Sequence, residues 1–206
     1  MNNKKGILFV VSGPSGAGKG TIMKNYFEKY PNDNSFLSIS MTSRKPRPMD
    51  EEGVTYYFKT REVFEELIEN GGLAEWTEFC GNYYGTPKKP VLDMLDMGKN
   101  VVLEIEVEGG KQVRESFGDT VGIFVMTPSI EELKNRLVGR NTESEDAIDM
   151  RIKRAYEEMA EIDNYDYLII NDDPDIAVDT FRSIMIGESQ KVERNKKFIQ
   201  EVCKKC

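Results

Sequence analysis

The run Gly13-Pro14-Ser15-Gly16-Ala17-Gly18-Lys19-Gly20-Thr21 has the residue types and spacing of a phosphate cradle. Glycines let successive backbone N–H groups turn toward a bound anion without Cβ clashes. A helix starting at Lys19 points the positive end of its dipole at the same place. Lys19 adds a point charge that reaches the β- and γ-phosphates of a nucleotide. Set between an apolar strand and a helix, this is the pattern of a P-loop. The usual pattern has Ser or Thr directly after the lysine, where its hydroxyl helps hold Mg²⁺. Here Gly20 takes that place and Thr21 follows, so the strict pattern fails by one residue and Thr21 becomes the candidate metal hydroxyl.

Three further groups of residues could act on a phosphorylated ligand. Val101-Val-Leu-Glu104-Ile-Glu106 is an apolar strand ending in carboxylates. In an open α/β sheet that end faces the ligand, and Glu104 there could hold Mg²⁺ directly or through water. An ordinary charged strand end is the plainer alternative. Ser40-Met-Thr-Ser-Arg44-Lys-Pro-Arg47 sets two arginines in a loop stiffened by proline. Guanidinium forks match phosphate oxygens bidentately, although a solvated loop would look the same. Arg136, Arg151 and Arg154 flank the polar stretch 139–145, and Arg140 lies within it. Arginines on a mobile segment suit phosphoryl transfer, where charge spreads over equatorial oxygens. For Arg154, charge on a helix surface, paired with nearby acids, is the plainer reading.

Composition bounds the rest. The chain has no histidine, which removes Ser-His-Asp and Cys-His nucleophilic sites and every imidazole-ligated zinc site. Its three cysteines, Cys80, Cys203 and Cys206, do not make a disulfide framework and read as free thiols of a cytoplasmic protein. A net charge of −8 weighs against a general nucleic-acid coat or an anionic-membrane binder. The apolar run Ile7–Val11 is too short for a signal peptide or a membrane span.

The elements that must position these groups alternate in a βα rhythm, which implies a parallel sheet with helices on both faces. Ile7–Ser12 reads as a doubly buried strand, and 19–30 as a helix ended by Pro31. Phe36 and Ile39 suggest a short strand, and 41–53 a loop. Strands at 56–58 and 73–79 flank a helix over 61–70, capped by Thr60 and stopped by Gly71-Gly72. The spacing predicts a helix from Pro87 to about Met97, strands at 101–105 and 121–126, and capping boxes at Ser129/Glu132 and Thr142/Glu145. Ile148, Ile152, Ala155, Met159 and Ile162 form one helical stripe. A strand over 167–170 precedes one long final helix opened by Asp173-Pro174.

Seven motifs in this order closely resemble the guanylate kinases: the loop 13–21, Ser-Arg-Lys-Pro-Arg47, Gly53-Val-Thr-Tyr56-Tyr-Phe58, Glu75-Trp-Thr-Glu-Phe79, Gly81-Asn-Tyr-Tyr84-Gly-Thr86, Leu103-Glu-Ile-Glu106 and Gly139-Arg140-Asn-Thr-Glu143. The resemblance covers roughly residues 6–185. It implies a single domain over 1–206, with a core of 1–38, 88–130 and 161–206, a GMP-binding region at 39–87 and a lid at 131–160. It implies transfer of the γ-phosphoryl group of Mg²⁺·ATP to GMP, and a cytoplasmic enzyme without nucleic-acid or membrane partners. By the same resemblance, Arg44, Arg47, Tyr56 and Tyr84 bind the GMP phosphate, and Ser40, Glu75, Thr86 and Glu106 read the guanine. Lys19, Arg44, Arg140 and Arg151 act on the transferring group, and Arg136 and Asn171 join the loop in the ATP site. Glu106 departs slightly, since the family often has Asp there.

The chemistry agrees with this carry-over. Guanine presents N1–H and its N2 amino group as adjacent donors, and a carboxylate accepts from both. Adenine has an acceptor at N1 and no N2 amino group. A site built to pair one hydrogen-bonding edge rejects the wrong one by roughly 10⁴ or more. Thr86 has a second reading, as the N-cap of a helix beginning at Pro87. Two rival functions stay open at this point: a kinase for another nucleoside monophosphate, and a non-catalytic module gripping a phosphorylated partner.

Overall fold

The computed structural model describes residues 5–48, 50–79, 81–139 and 145–204. The apolar run near the N-terminus forms β1, Leu8–Ser12, with every residue buried. It is central because it has no polar face to offer water. It pairs in parallel with β7 (Asn100–Glu104) on one side and β8 (Thr120–Met126) on the other. With β2 (Ser35–Leu37) and β9 (Tyr167–Ile170) the sheet has the order β2-β7-β1-β8-β9, parallel throughout. The register sets Val11 opposite Glu104, so the C-terminal end of β1 and the acidic end of β7 emerge side by side.

Helices cover both faces. On one, α1 (Lys19–Lys29) and α7 (Pro174–Gln190) bury Ile22, Tyr26 and Phe181 against Phe9 and Val11. On the other, α3 (Lys88–Asp96) and α4 (Val107–Ser116) bury Val91, Leu95 and Val113 against Val10 and Leu103. Truncating a fully buried ring such as Phe9 to alanine costs about 3–5 kcal/mol at sites of this kind.

A second sheet stands beside the first. It comprises β3 (Met41–Thr42), β4 (Tyr57–Phe58), β5 (Leu73–Phe79) and β6 (Asn82–Pro87), in the order β4-β3-β6-β5. Helix α2 (Arg61–Glu69) packs its Phe64 against Tyr83 of β6, and its N-cap Thr60 accepts from the Val63 N–H. Helix α5 (Ile130–Val138) is capped by Ser129, which accepts from the Glu132 N–H at 3.0 Å. It packs against α6 (Glu145–Met159) through Leu133, Leu137, Ile148 and Ala155. The Thr142 capping box and Cys80 lie outside the described residues.

The structure corrects several expectations. Met41-Thr42 is a strand and not part of a loop. Helix α4 has no counterpart among the expected elements. Helix α3 starts at Lys88, because Pro87 still belongs to β6. The stripe on α6 stops at Met159, and Ile162 opens a separate 3₁₀ turn. The long final helix breaks at Lys191, where ψ of 135° is extended, and α8 (Val192–Cys203) follows. No helix among the described residues is long and apolar enough to cross a membrane.

Candidate functional site

The glycine loop joins β1 to α1, and three of its glycines take positive φ: 145° at Gly13, 95° at Gly16 and 92° at Gly18. A Cβ on Gly13 would lie 2.0 Å from the Val125 carbonyl oxygen, and one on Gly18 would lie 2.2 Å from Asn171 Nδ2. Both positions therefore exclude other residues twice over, by conformation and by space. Lys19 bends back inside the loop, donating to the carbonyls of Gly13 at 2.5 Å and Pro14 at 3.2 Å. Pro14 and Ala17 are buried beneath the turn, while Ser15 is exposed.

Other elements brace this loop. Asn171, just past β9 and almost wholly buried, donates from Nδ2 to the Ala17 carbonyl at 2.8 Å. Its own carbonyl accepts from Arg136 Nη2 at 2.9 Å, and Arg136 also donates to Glu132 at 2.7 Å. Arg151 on α6 donates from Nη1 to Ser15 Oγ at 2.6 Å. Asn171 and Arg151 thus bond the loop directly, and Arg136 braces it through the Asn171 carbonyl. Arg140 lies outside the described residues.

Glu104 ends β7 beside the loop, as the register requires. A Cβ on Gly20 would stand 3.4 Å from Glu104 Oε1, so the bare backbone of Gly20 leaves the carboxylate room to face the loop. Burial pushes the Glu104 carboxyl above its ordinary range, and Lys19 draws it back. Thr21 sits exposed in the first turn of α1. No group of three or more His, Cys, Asp or Glu side chains gathers to hold a metal among the described residues. One half-buried carboxylate beside a phosphate cradle suits Mg²⁺, which keeps several waters and takes its remaining ligands from phosphates. The residues therefore fit that ion.

The loop opens on a cavity of 580 Å³, lined by Gly13, Lys19, Thr21, Glu104 and Glu158 among others. A second cavity of 240 Å³ shares its Tyr56, Glu104, Ile105 and Glu106 walls. Ser40, Glu75 and Tyr84 also line that second cavity, so residues from 40 to 106 meet in one place. Glu75 on β5 is 5% exposed. Thr86 Oγ1 donates to Glu75 Oε1 at 2.6 Å, which makes Thr86 the partner of the carboxylate and not a helix cap. Burial pushes the Glu75 carboxyl up to about 7, and the neighbouring Glu106 adds to the shift. Gly109 is required here, since a Cβ on it would lie 2.5 Å from Glu75 Oε2.

The basic loop is held from within. Arg44 donates from Nη1 to Asp50 Oδ2 at 2.8 Å and to the Lys45 carbonyl at 2.9 Å. Its guanidinium lies 5.6 Å from the centre of the Tyr56 ring, and Tyr56 packs edge-on to Tyr84. Arg44 thus reaches the second cavity through its Tyr56 wall. The Arg47 backbone N–H donates to the same Asp50 oxygen at 2.6 Å, while its side chain is exposed and forms no part of the cavity walls. Asp50 is absent from the sequence-based candidates; an Asp three residues after Arg47, closing a turn on its N–H, is the signal that could have found it.

A nucleotide-binding loop on a parallel sheet, facing a second acid-lined cavity, defines a P-loop phosphotransferase of the nucleotide kinase type. The guanylate kinase family model matches residues 5–188. The chain is 49% identical to the guanylate kinase of Bacillus anthracis, over 98% of each chain. It is 48% identical to that of Clostridioides difficile (strain 630), over 96% of each. The solved guanylate kinase from Anaplasma phagocytophilum superposes with a TM-score of 0.76 at 33% identity, covering 93% of this chain and 90% of that one. The chain belongs to the guanylate kinase family, and its activity is phosphorylation of GMP by ATP.

Proposed function

We propose that the transfer of the γ-phosphoryl group from ATP to GMP, giving ADP and GDP, runs across the two adjoining cavities, with the residues described above in the following roles. The loop 13–21 and Lys19 bind the ATP phosphates, with Arg136 and Asn171 fixing the loop's far side. Arg44, Arg47, Tyr56 and Tyr84 hold the GMP phosphate. Glu75 and Glu106 accept from the guanine N1–H and N2 amino groups. Ser40 donates to O6, and Thr86 holds Glu75 in place. Arg140 and Arg151 close over the transferring group. Residues 39–87 then form the GMP-binding region and 131–160 the lid.

Glu104 and Thr21 are the residues that would hold Mg²⁺, which when bound neutralises charge on the β- and γ-phosphates. The acceptor phosphate of GMP is already anionic, so no side-chain base is needed. Positioning and charge stabilisation carry the catalysis. Lys19 and Arg44 work at opposite ends: one fixes the donor, the other the acceptor. The reaction is assigned to the cytoplasm, whose reducing conditions suit the free, exposed thiol of Cys203.

The observation that carries this reading is the buried Glu75 in a cavity that shares its walls with the loop cavity. A thermal-shift titration tests it. GMP and ATP should each raise the melting temperature alone, as ligand linkage requires, and AMP should act only at the ATP site. A site where GMP gives no shift that AMP does not also give would refute the base-reading assignment.

A further inference from the structure

The second cavity contains three carboxylates, Glu75, Glu104 and Glu106, and no basic side chain among its walls. Two of these face one neutral base in the reading above, on which this inference rests. Close acids of like charge disfavour each other's ionised forms. A compensating cation is therefore expected at the cavity mouth, and the structure supplies one from a distant part of the chain.

Arg154, on α6, donates from Nη2 to Glu106 Oε2 at 2.5 Å and from Nε to Glu158 Oε1 at 3.1 Å. Its guanidinium lies 5.1 Å from the centre of the Phe79 ring at the tip of β5. Glu106 and Phe79 line the acid-walled cavity, and Glu158 lines the loop cavity. One guanidinium thus touches walls of both cavities.

We propose that Arg154 is a positioning residue for guanine selection: it holds Glu106 Oε2 and so presents Oε1 to the base, while stacking on Phe79 at the mouth. Arginine suits this task because its planar fork serves two carboxylates and an aromatic face at once. A free Glu106 would rotate, and its charge would be offset only by solvent. The N2 amino group is the donor that distinguishes GMP from inosine monophosphate, which keeps N1–H and O6 but lacks it. Arg154 should therefore matter more for GMP than for inosine monophosphate.

The test is steady-state kinetics of the full chain with both acceptors for wild type, Arg154→Ala and Arg154→Lys. In Arg154→Ala the GMP KM should rise about tenfold, the effect of weakening one hydrogen bond at a charged acceptor. The kcat should change less than about twofold, and the preference for GMP over inosine monophosphate should fall about tenfold. Arg154→Lys should recover much of the GMP KM, because it keeps the charge facing Glu106. An unchanged GMP KM would overturn the proposal. So would equal losses for both acceptors, which indicate a general structural role, or a lower GMP KM, which indicates that Arg154 competes with the base. If wild type itself fails to use GMP, the reading of the site fails first, and that result is distinct from the others.

Discussion

Replacing Glu75 with glutamine should improve stability and damage substrate binding, and the two effects should respond to pH in linked ways. Glu75 is buried, and its carboxyl is pushed from an ordinary 4.5 up to about 7. Between these values the unfolded chain has released its proton and the folded chain still holds it. Raising the pH across that window therefore favours unfolding. At 1.36 kcal/mol per pH unit, the cost of keeping Glu75 ionised above pH 7 is roughly 3 kcal/mol. A glutamine at this position does not titrate, so the ligand-free variant should gain about that much at pH 8 and little at pH 4.5. GMP binding goes the other way, because guanine's two donors need the ionised carboxylate. Glutamine offers one acceptor oxygen and an amide that faces those donors. Losing a hydrogen bond to a charged group costs about 1.5–3 kcal/mol, which corresponds to a GMP KM about 10–150-fold higher. Urea unfolding at pH 5 and pH 8 measures the first effect, and initial rates against GMP concentration measure the second. Equal stability differences at both pH values would refute the buried-carboxylate reasoning. An unchanged GMP KM would refute the base contact.

Other perturbations separate the parts of the site. Lys19→Met should lower kcat by on the order of 10²–10³-fold while leaving GMP binding, measured by calorimetry, near wild type. Asp50→Ala frees the Arg44 guanidinium and opens the turn at Arg47, so the GMP KM should rise about tenfold, with ATP KM as the internal control. Gly18→Ala places a Cβ against Asn171 in a left-handed backbone; thermal unfolding should show a loss of at least about 2 kcal/mol, and the ATP KM should rise. Adding EDTA in excess of Mg²⁺ should abolish ADP release, and restoring Mg²⁺ should recover it.

The parts legible in the sequence are those whose signal is local. The loop 13–21 announces itself because glycine conformation, helix start and lysine all fall within one short run. The core strands are readable where apolar residues run unbroken, as in β1 and β8. Helix α4 is hidden by its own packing. Gly109 and Gly110 look like helix breakers, yet one clears space for Glu75 and the other for Ser12 and Tyr165. Thr86 shows a different kind of ambiguity. A threonine before a proline suits a helix cap equally well, and only the pairing of β5 with β6 brings it to Glu75. Asp50 and Arg154 act through contacts that no sequence period encodes. Arg154 meets Glu106 across 48 residues of chain, so its partner depends on how α6 sits beside α4.

The most direct test of base selection is a coupled ADP-release assay with Mg²⁺·ATP against GMP, AMP, UMP and CMP. Turnover with GMP and not with the other three is the predicted result, since a donor edge on the base is what Glu75 and Glu106 are placed to meet. Comparable turnover with AMP would keep the phosphotransferase and overturn the carboxylate account of base selection. Tight GMP binding with no turnover of any acceptor would contradict the catalytic reading itself.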